Sequence, residues 1–145
     1  MKIFKKTRAE QFIDLFQHWS IYFDLPQFKV CIDTKTKCHA YVDDGNNVIA
    51  INPHYIKNWN EPMLYNGVFH EIGHIIQGLP YNTIREQVVC EREAERFAIQ
   101  QIKLHYPKSI EYIKNRTIKK SMENKNFVKE DPIHFSALCQ LEEYM

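Results

Sequence analysis

Two histidines, His70 and His74, stand four residues apart with Glu71 between them in the stretch NGVFHEIGHIIQG. On an α-helix, residues at this spacing differ by about 40° around the axis and about 6 Å along it, so both imidazoles can reach one metal ion. Glu71 lies about 100° round from His70, where its carboxylate can reach a water on that metal. The spacing indicates a zinc site with Glu71 as general base, and the alternative is a chance match on an amphipathic helix.

The helix that carries this motif is predicted to have one face for packing and another for a site. Its apolar back comprises Val68, Ile72, Ile75 and Leu79, and its front comprises Met63, Gly67, His74 and Gln77. Gly73 is unusual there, because a glycine inside a helix costs about 0.5–1 kcal/mol relative to alanine. A close approach of backbone or ligand beside His74 would explain it.

A third metal ligand is predicted on the next helix, in the segment EREAERFA. Glu91 and Glu95 interrupt an otherwise apolar stripe, and buried carboxylates are costly unless a cation or hydrogen bonds compensate. We therefore expect Glu91 to coordinate the metal and Glu95 to accept the spare N–H of a ligand histidine. The alternative is that both glutamates form a charged flank paired with Arg92 or Arg96.

The elements before these helices follow from periodicity and turn chemistry. A capping box at Thr7 and Glu10 begins an amphipathic helix over about residues 7–23. The β-forming segments FKVCID, CHAYVD and VIAIN, with a turn at DDGNN, predict a small antiparallel sheet over about residues 28–52. The segment PHYIKNWNEP is expected to be a connecting loop.

Capping residues predict where the two ligand-bearing helices begin. Asn60 is followed by Pro62 in a first turn, and Thr83 with Glu86 has capping-box spacing. Gly78 is expected to end the first of these helices. Further helices are predicted over KSIEYIKNRTIKKSMEN and DPIHFSALCQLEEYM, which gives an α+β fold with additional C-terminal helices.

Length and composition limit the classes of protein to which the chain can belong. Its 145 residues suffice for one domain, and 19 lysines and arginines against 18 acidic residues give no general attraction to nucleic acid. No apolar run reaches the roughly 20 residues that span a bilayer. The four cysteines form no CxxC pair, so free thiols and a cytoplasmic location are expected.

Taken in order, HAYVDDGNNVIAIN, FHEIGHIIQG and EREAERFA resemble the gluzincin metallopeptidases, and in particular the ImmA/IrrE family. The resemblance covers about residues 28–107, and the chain has Glu95 where the family's second signature usually has Asp or Asn. It implies a zincin-like fold, with NVIAIN as the edge strand flanking the cleft and a protein as substrate. The residues that it implies for one Zn²⁺ and its chemistry are the ligands His70, His74 and Glu91 and the general base Glu71.

The expected organisation is therefore a single zincin-like domain over residues 1–145. Its core covers about residues 28–107, preceded by the N-terminal helix and followed by a helical extension over about residues 108–145. The small antiparallel sheet is expected to pack on the helix with the HExxH motif and on the following ligand-bearing helix. Oligomeric state has no signal in the sequence.

The activity expected of such a domain is zinc-dependent endopeptidase hydrolysis of a protein or peptide. An extended substrate is expected to add as a strand beside Val48, Ile49, Ala50 and Ile51. A second oxyanion donor is expected from Tyr81, His105, Tyr106 or His134. Spacing does not choose among these four, and each is alternatively an ordinary packed or surface residue, as are the lone histidines His39 and His54.

Two other functional classes are compatible with the same residues. One is a non-enzymatic, zinc-stabilised protein-binding module, for which a base such as Glu71 would be unnecessary. The other is nucleic-acid binding through the basic residues near the C-terminus, which alternatively form a solvated helix face. Those residues are Lys114, Arg116, Lys119, Lys120 and Lys125.

Overall fold

The computed structural model describes residues 5–43, 45–78 and 82–122. Its helices are α1 (Arg8–Tyr22), α2 (Pro53–Ile56), α3 (Glu61–Gln77), α4 (Ile84–His105) and α5 (Ile110–Met122). Its strands are β1 (Lys29–Ile32), β2 (Ala40–Asp43) and β3 (Val48–Ile51), and a 3₁₀ turn (Pro107–Ser109) joins α4 to α5. These residues form an α+β arrangement, as the sequence predicts.

Side-chain caps start the long helices where the sequence predicts them. Thr7 begins α1 with a complete capping box, in which its hydroxyl and the Glu10 side chain each accept from the other's backbone N–H. Asn60 caps α3 through the N–H of Met63, and Thr83 caps α4. Gly78 ends α3 in the left-handed conformation, with φ at 52°, which glycine adopts without steric cost.

The three strands form a mixed sheet in the order β1–β3–β2, so the prediction of an antiparallel sheet is wrong for β1. The predicted turn does join β2 to β3 as an antiparallel pair, but β1 pairs with β3 in parallel, with Lys29 opposite Val48. The segment between β1 and β2 leads the chain to the far side of β3 instead of forming a second hairpin. A parallel partner needs such a longer connection, whereas antiparallel neighbours can be joined by a tight turn.

Strand β3 is consequently central, and the prediction that it forms the edge of the sheet is wrong. Ile49, Ala50 and Ile51 are all buried in consecutive positions, with relative exposures of 0%, 2% and 0%. An uninterrupted apolar run is typical of a strand enclosed on both sides, and VIAI carries that signal. The strand at the edge beside α3 is β2, which packs against that helix.

The core lies between α1, the sheet and the apolar faces of α3 and α4. Val68 and Ile72 from the predicted apolar back of α3 are buried in it, with Phe12 and Phe16 from α1 and Ile102 from α4. This packing fixes the rotation of α3 about its axis, so the opposite face of the helix is set toward the predicted site.

Helices α3 and α4 make the most extensive packing contact, and Gly73 lies at their crossing. A Cβ atom at position 73 would lie 3.1 Å from Ala94 Cα and 3.3 Å from Ala94 O. The expectation of a close backbone approach beside His74 is confirmed. The crossing holds the two ligand-bearing helices at a short, fixed separation.

Other segments differ from the sequence-based expectations or lie outside the described residues. PHYIKNWNEP is not entirely a loop, because Asn52 caps the short helix α2 through the N–H of His54. The predicted helix DPIHFSALCQLEEYM lies outside the described residues. In the described part, Cys31, Cys38 and Cys90 form no disulfide, and no helix there has both the length and the apolarity needed to cross a membrane.

Candidate metal centre

Three predicted ligands, His70, His74 and Glu91, come together across the crossing of α3 and α4. The Nε2 atoms of the two histidines are 3.0 Å apart. Glu91 lies across from them, with Oε2 3.0 Å from His70 Nε2 and Oε1 3.4 Å from His74 Nε2. One donor atom from each residue lies within 4.8 Å of the other two, so the cluster can hold a metal ion.

These separations fit the size of a tetrahedral zinc site. Zn–N and Zn–O bonds of about 2.0–2.1 Å at tetrahedral angles place neighbouring donors about 3.3–3.4 Å apart. The two histidine nitrogens are 3.0 Å apart, and Glu91 approaches them at 3.0 and 3.4 Å through its two different oxygens. Two imidazoles and one carboxylate are also the donor set of known catalytic zinc sites, in which three protein ligands leave one position open. Both the chemistry and the spacing of the residues therefore suit this ion.

Glu95, one turn after Glu91, meets the other nitrogen of His70. Its Oε1 lies 2.5 Å from His70 Nδ1, as expected from the sequence. A histidine that donates Nδ1–H to a carboxylate presents its Nε2 lone pair to a metal, and this approach suits that tautomer. Glu95 thus meets the ring nitrogen of His70 that the donor cluster does not use.

The buried charges in this cluster shift one another's pKa values. Burial alone would lower the pKa of His70, but the carboxylates of Glu95 and Glu91 hold it well above its ordinary value of 6.5. Burial alone would raise the pKa of Glu95, but the charge of His70, with a smaller contribution from Arg116, lowers it from 4.5 to about 2. The metal-free cluster is therefore stabilised by an ion pair between His70 and Glu95.

The alternative in which Glu91 and Glu95 form an arginine-paired flank is not the arrangement that the structure has. Both glutamates turn toward His70. It is Glu93, on another face of α4, whose carboxylate lies 3.2 Å from Arg92 Nε and 4.0 Å from Arg96 Nη1. The apolar stripe of α4 thus carries its two carboxylates into the site.

Glu71 is buried beside the ligands and has a neighbour that sequence reasoning missed. Its relative exposure is 3%, and its Oε1 lies 3.3 Å from Nε2 of His39, just before β2. His39 has no periodic or motif signal, because its partner is distant in sequence and depends on the position of β2 beside α3. The uninterrupted apolar run VIAI indicates that β3 is central in the sheet. That signal would have placed β2, which follows His39, at an edge of the sheet.

The other predicted site residues do not all lie at the centre. Val48, Ile49, Ala50 and Ile51 are paired on both sides within the sheet, so their backbone groups are not open to a substrate. His105 follows Glu91 by about 21 Å along α4, at 1.5 Å per residue. Its ring packs 4.4 Å from that of Trp19, and Tyr106 accepts a hydrogen bond from the Trp19 indole.

Of the four candidates for the oxyanion donor, His105 and Tyr106 therefore pack against Trp19 near the C-terminal end of α4. This is the packed alternative that the sequence left open for them. Tyr81 and His134, the two remaining candidates, lie outside the described residues. The lone histidine His54 is exposed on α2.

No protein-family model, curated protein or solved structure matches this chain. The assignment of a function therefore depends on the donor set, its spacing and the buried carboxylate beside it.

Proposed function

We propose that this protein is a zinc-dependent endopeptidase with a zincin-like fold, related in mechanism to the gluzincins of the ImmA/IrrE type. The observation that carries the proposal is the buried Glu71 beside a three-donor cluster on two crossed helices. A purely structural metal site needs ligands but has no use for an adjacent carboxylate, and burying one costs free energy. Such a carboxylate is what hydrolysis by an activated water requires.

Zinc is the metal that the donors favour. Imidazole nitrogens with a single carboxylate suit Zn²⁺, whereas Ca²⁺ and Mg²⁺ prefer all-oxygen sites. Bound by His70, His74 and Glu91, zinc would supply Lewis acidity, which lowers the pKa of a water toward 7 and polarises a carbonyl oxygen. The remaining steps belong to the side chains of the protein.

Glu71 acts as the proton carrier in this mechanism. Its carboxylate takes a proton from the attacking water as the oxygen adds to the peptide carbonyl. The same carboxyl group then gives the proton to the amine that leaves, so Glu71 returns to its starting state. Glu95 keeps His70 in the required tautomer throughout, since its contact with Nδ1 lies outside the reacting atoms.

An extended substrate would add to the outer edge of β2. The Asn52 N–H donates to the His39 carbonyl at 2.8 Å, which fixes the alternation of hydrogen bonds along the β2–β3 pair. By that alternation the backbone groups of Ala40 and Val42 face away from β3. No strand among the described residues pairs with this edge, so those groups are available to a peptide backbone.

The test is Glu71→Gln, which keeps the shape of the side chain and removes its basicity. We expect zinc to bind in a 1:1 ratio while the rate of peptide hydrolysis falls by about 10²- to 10⁴-fold. Cleavage is measured by mass spectrometry on a proteome-derived peptide library, and zinc by elemental analysis. Glu61→Gln, which makes the same change at an exposed position of α3, is the matched control and should behave as wild type.

Two results would contradict the proposal. A Glu71→Gln protein that cleaves as fast as wild type would show that Glu71 is not the base. A wild-type protein that binds zinc but cleaves no peptide would instead indicate the zinc-stabilised binding module.

A further inference from the structure

His39 has a buried nitrogen that lacks a well-aligned hydrogen bond. Its Nε2 is closed off from solvent, and within the described part of the chain it has no hydrogen-bond partner of good geometry. Glu71 Oε1 nevertheless lies 3.3 Å from it. Buried polar atoms are almost always satisfied, and catalytic hydrogen bonds are often misaligned before substrate binds. A small rotation of the imidazole would complete a bond from His39 to Glu71.

The backbone of His39 is anchored independently of this contact. Asn52 is 1% exposed, its N–H donates to the His39 carbonyl at 2.8 Å, and its Nδ2 donates to the Thr36 carbonyl at 2.9 Å. The Asn52 Oδ1 meanwhile caps α2 through His54. One buried amide thus ties the segment before β2 to the start of α2, which sets where the His39 side chain begins.

The ring of His39 is held by Trp59, which in turn depends on Gly67. The His39 and Trp59 rings are 5.0 Å apart at an angle of 55°. A Cβ atom at position 67 would lie 2.6 Å from Trp59 Cζ3, so only glycine leaves room for the indole there. Gly67 precedes Glu71 by one helical turn on the same face of α3. The indole therefore packs on the His39 ring in the room that Gly67 leaves for it.

We propose that His39 is a positioning residue for Glu71, donating Nε2–H to Glu71 Oε1 when the site is assembled for hydrolysis. This inference rests on the proposed function. With Oε1 held by His39, the second carboxylate oxygen is left to take the proton from the attacking water. A base held by a neutral donor keeps its orientation between the step that accepts the proton and the step that delivers it.

The test uses kinetics of the zinc-loaded, full-length protein on a synthetic peptide chosen from the library cleavage. His39→Ala is expected to lower kcat about 10- to 100-fold, the effect of a misplaced catalytic group, with KM and zinc content unchanged. His39→Gln retains a donor of similar reach and should recover most of the lost kcat. His54→Ala, at an exposed histidine of α2, is the matched control and should leave both constants unchanged.

A second readout does not depend on cleavage. In protein labelled with ¹⁵N-histidine, a hydrogen-bonded Nε2–H of His39 should exchange slowly enough to be seen by NMR, and it should disappear in Glu71→Ala. Three results would overturn the role of His39 while leaving the hydrolytic function intact. They are a wild-type kcat in His39→Ala, an effect of His39→Ala on KM without one on kcat, and a His39→Gln protein whose kcat is not restored. Absence of cleavage by the wild type would overturn the hydrolytic function and this role with it, whether or not the proton is visible.

Discussion

The two ends of the α3–α4 pair contain the same kinds of residue in opposite circumstances. At one end, His70 lies between Glu91 and Glu95, and its pKa is held well above 6.5 by their carboxylates. At the other end, His105 lies among the rings of Trp19, Tyr22 and Phe69. One histidine belongs to the cluster that could hold a metal ion, and the other packs among aromatic rings.

The difference between these ends comes from the neighbours within one helical turn and across the crossing. Around Glu91, small residues let the helices approach, so side chains from both converge on a point the size of one ion. Around Tyr106, large rings fill the same interhelical space, and Tyr65 stacks on Tyr106 with 3.8 Å between ring centroids. Residue type alone does not distinguish a ligand from a core residue, whereas the volume left between the helices does.

The largest effect is expected from removing a proposed ligand at the end of the helix pair that contains His70. Glu91→Ala should reduce zinc affinity well beyond the roughly 10–100-fold loss that is typical of outer hydrogen-bond partners. Glu93→Ala removes an equal charge from the same helix, but at a carboxylate that contacts Arg92 and Arg96. Zinc affinity is measured by competition with a chromogenic chelator, and equal losses in the two variants would contradict the assignment of Glu91.

A smaller effect is expected from Glu95→Gln, which weakens the contact that orients His70. Zinc affinity should fall about 10–100-fold, with the 1:1 ratio retained at saturation. A fall as large as that of Glu91→Ala would mean that Glu95 is itself a ligand.

The same variant should change the acid sensitivity of the metal-free protein. The pKa of Glu95 is lowered from 4.5 to about 2, so its ion pair contributes stability above about pH 4.5 that is lost as the pH falls through 2. Denaturant unfolding of Glu95→Gln should therefore show a shallower loss of stability over this interval than the wild type shows. If stability falls with pH equally steeply in the variant and the wild type, the ion pair does not contribute to the stability of the metal-free protein.

The smallest effect is expected at the aromatic end, from Tyr106→Phe. Losing the hydroxyl that accepts from the Trp19 indole should cost about 0.5–1.5 kcal/mol of unfolding free energy and leave kcat unchanged. Tyr65→Phe is the control, since among the described residues its hydroxyl bonds to an exposed partner, Glu61, at 3.5 Å. A fall in kcat of about 10²-fold or more in Tyr106→Phe would instead identify an oxyanion donor.

Much of the site could be predicted from the sequence because its information is local. The spacing of His70 and His74 and the position of Glu95 one turn after Glu91 follow from the helical repeat. Gly73 is also local information, because a glycine within a helix has a cost that a close approach of the neighbouring helix explains. The predicted caps at Thr7 and Asn60 likewise involve residues that are near neighbours in the chain.

The parts that were predicted wrongly depend on long-range pairing. The order of the strands depends on pairing between distant segments of the chain. The sequence therefore predicted β3 at the edge of the sheet, where the structure has β2. His39 was missed as a consequence, because its contact with Glu71 exists only once β2 occupies that edge. His105 and Tyr106 stayed open as candidates in the sequence because the rings that pack on them come from other helices, Trp19 from α1 and Tyr65 from α3.

If the crossing at Gly73 holds the proposed zinc, metal availability would also govern how long the folded chain survives. An ion shared by α3 and α4 acts as a reversible cross-link between them, and it would stabilise the fold by about 2.7 kcal/mol when free zinc exceeds its dissociation constant a hundredfold. Where zinc is scarce, the two helices would lose that link, and the chain would be open to proteases for a larger fraction of the time. The amount of this protein in a cell would then follow the supply of the ion.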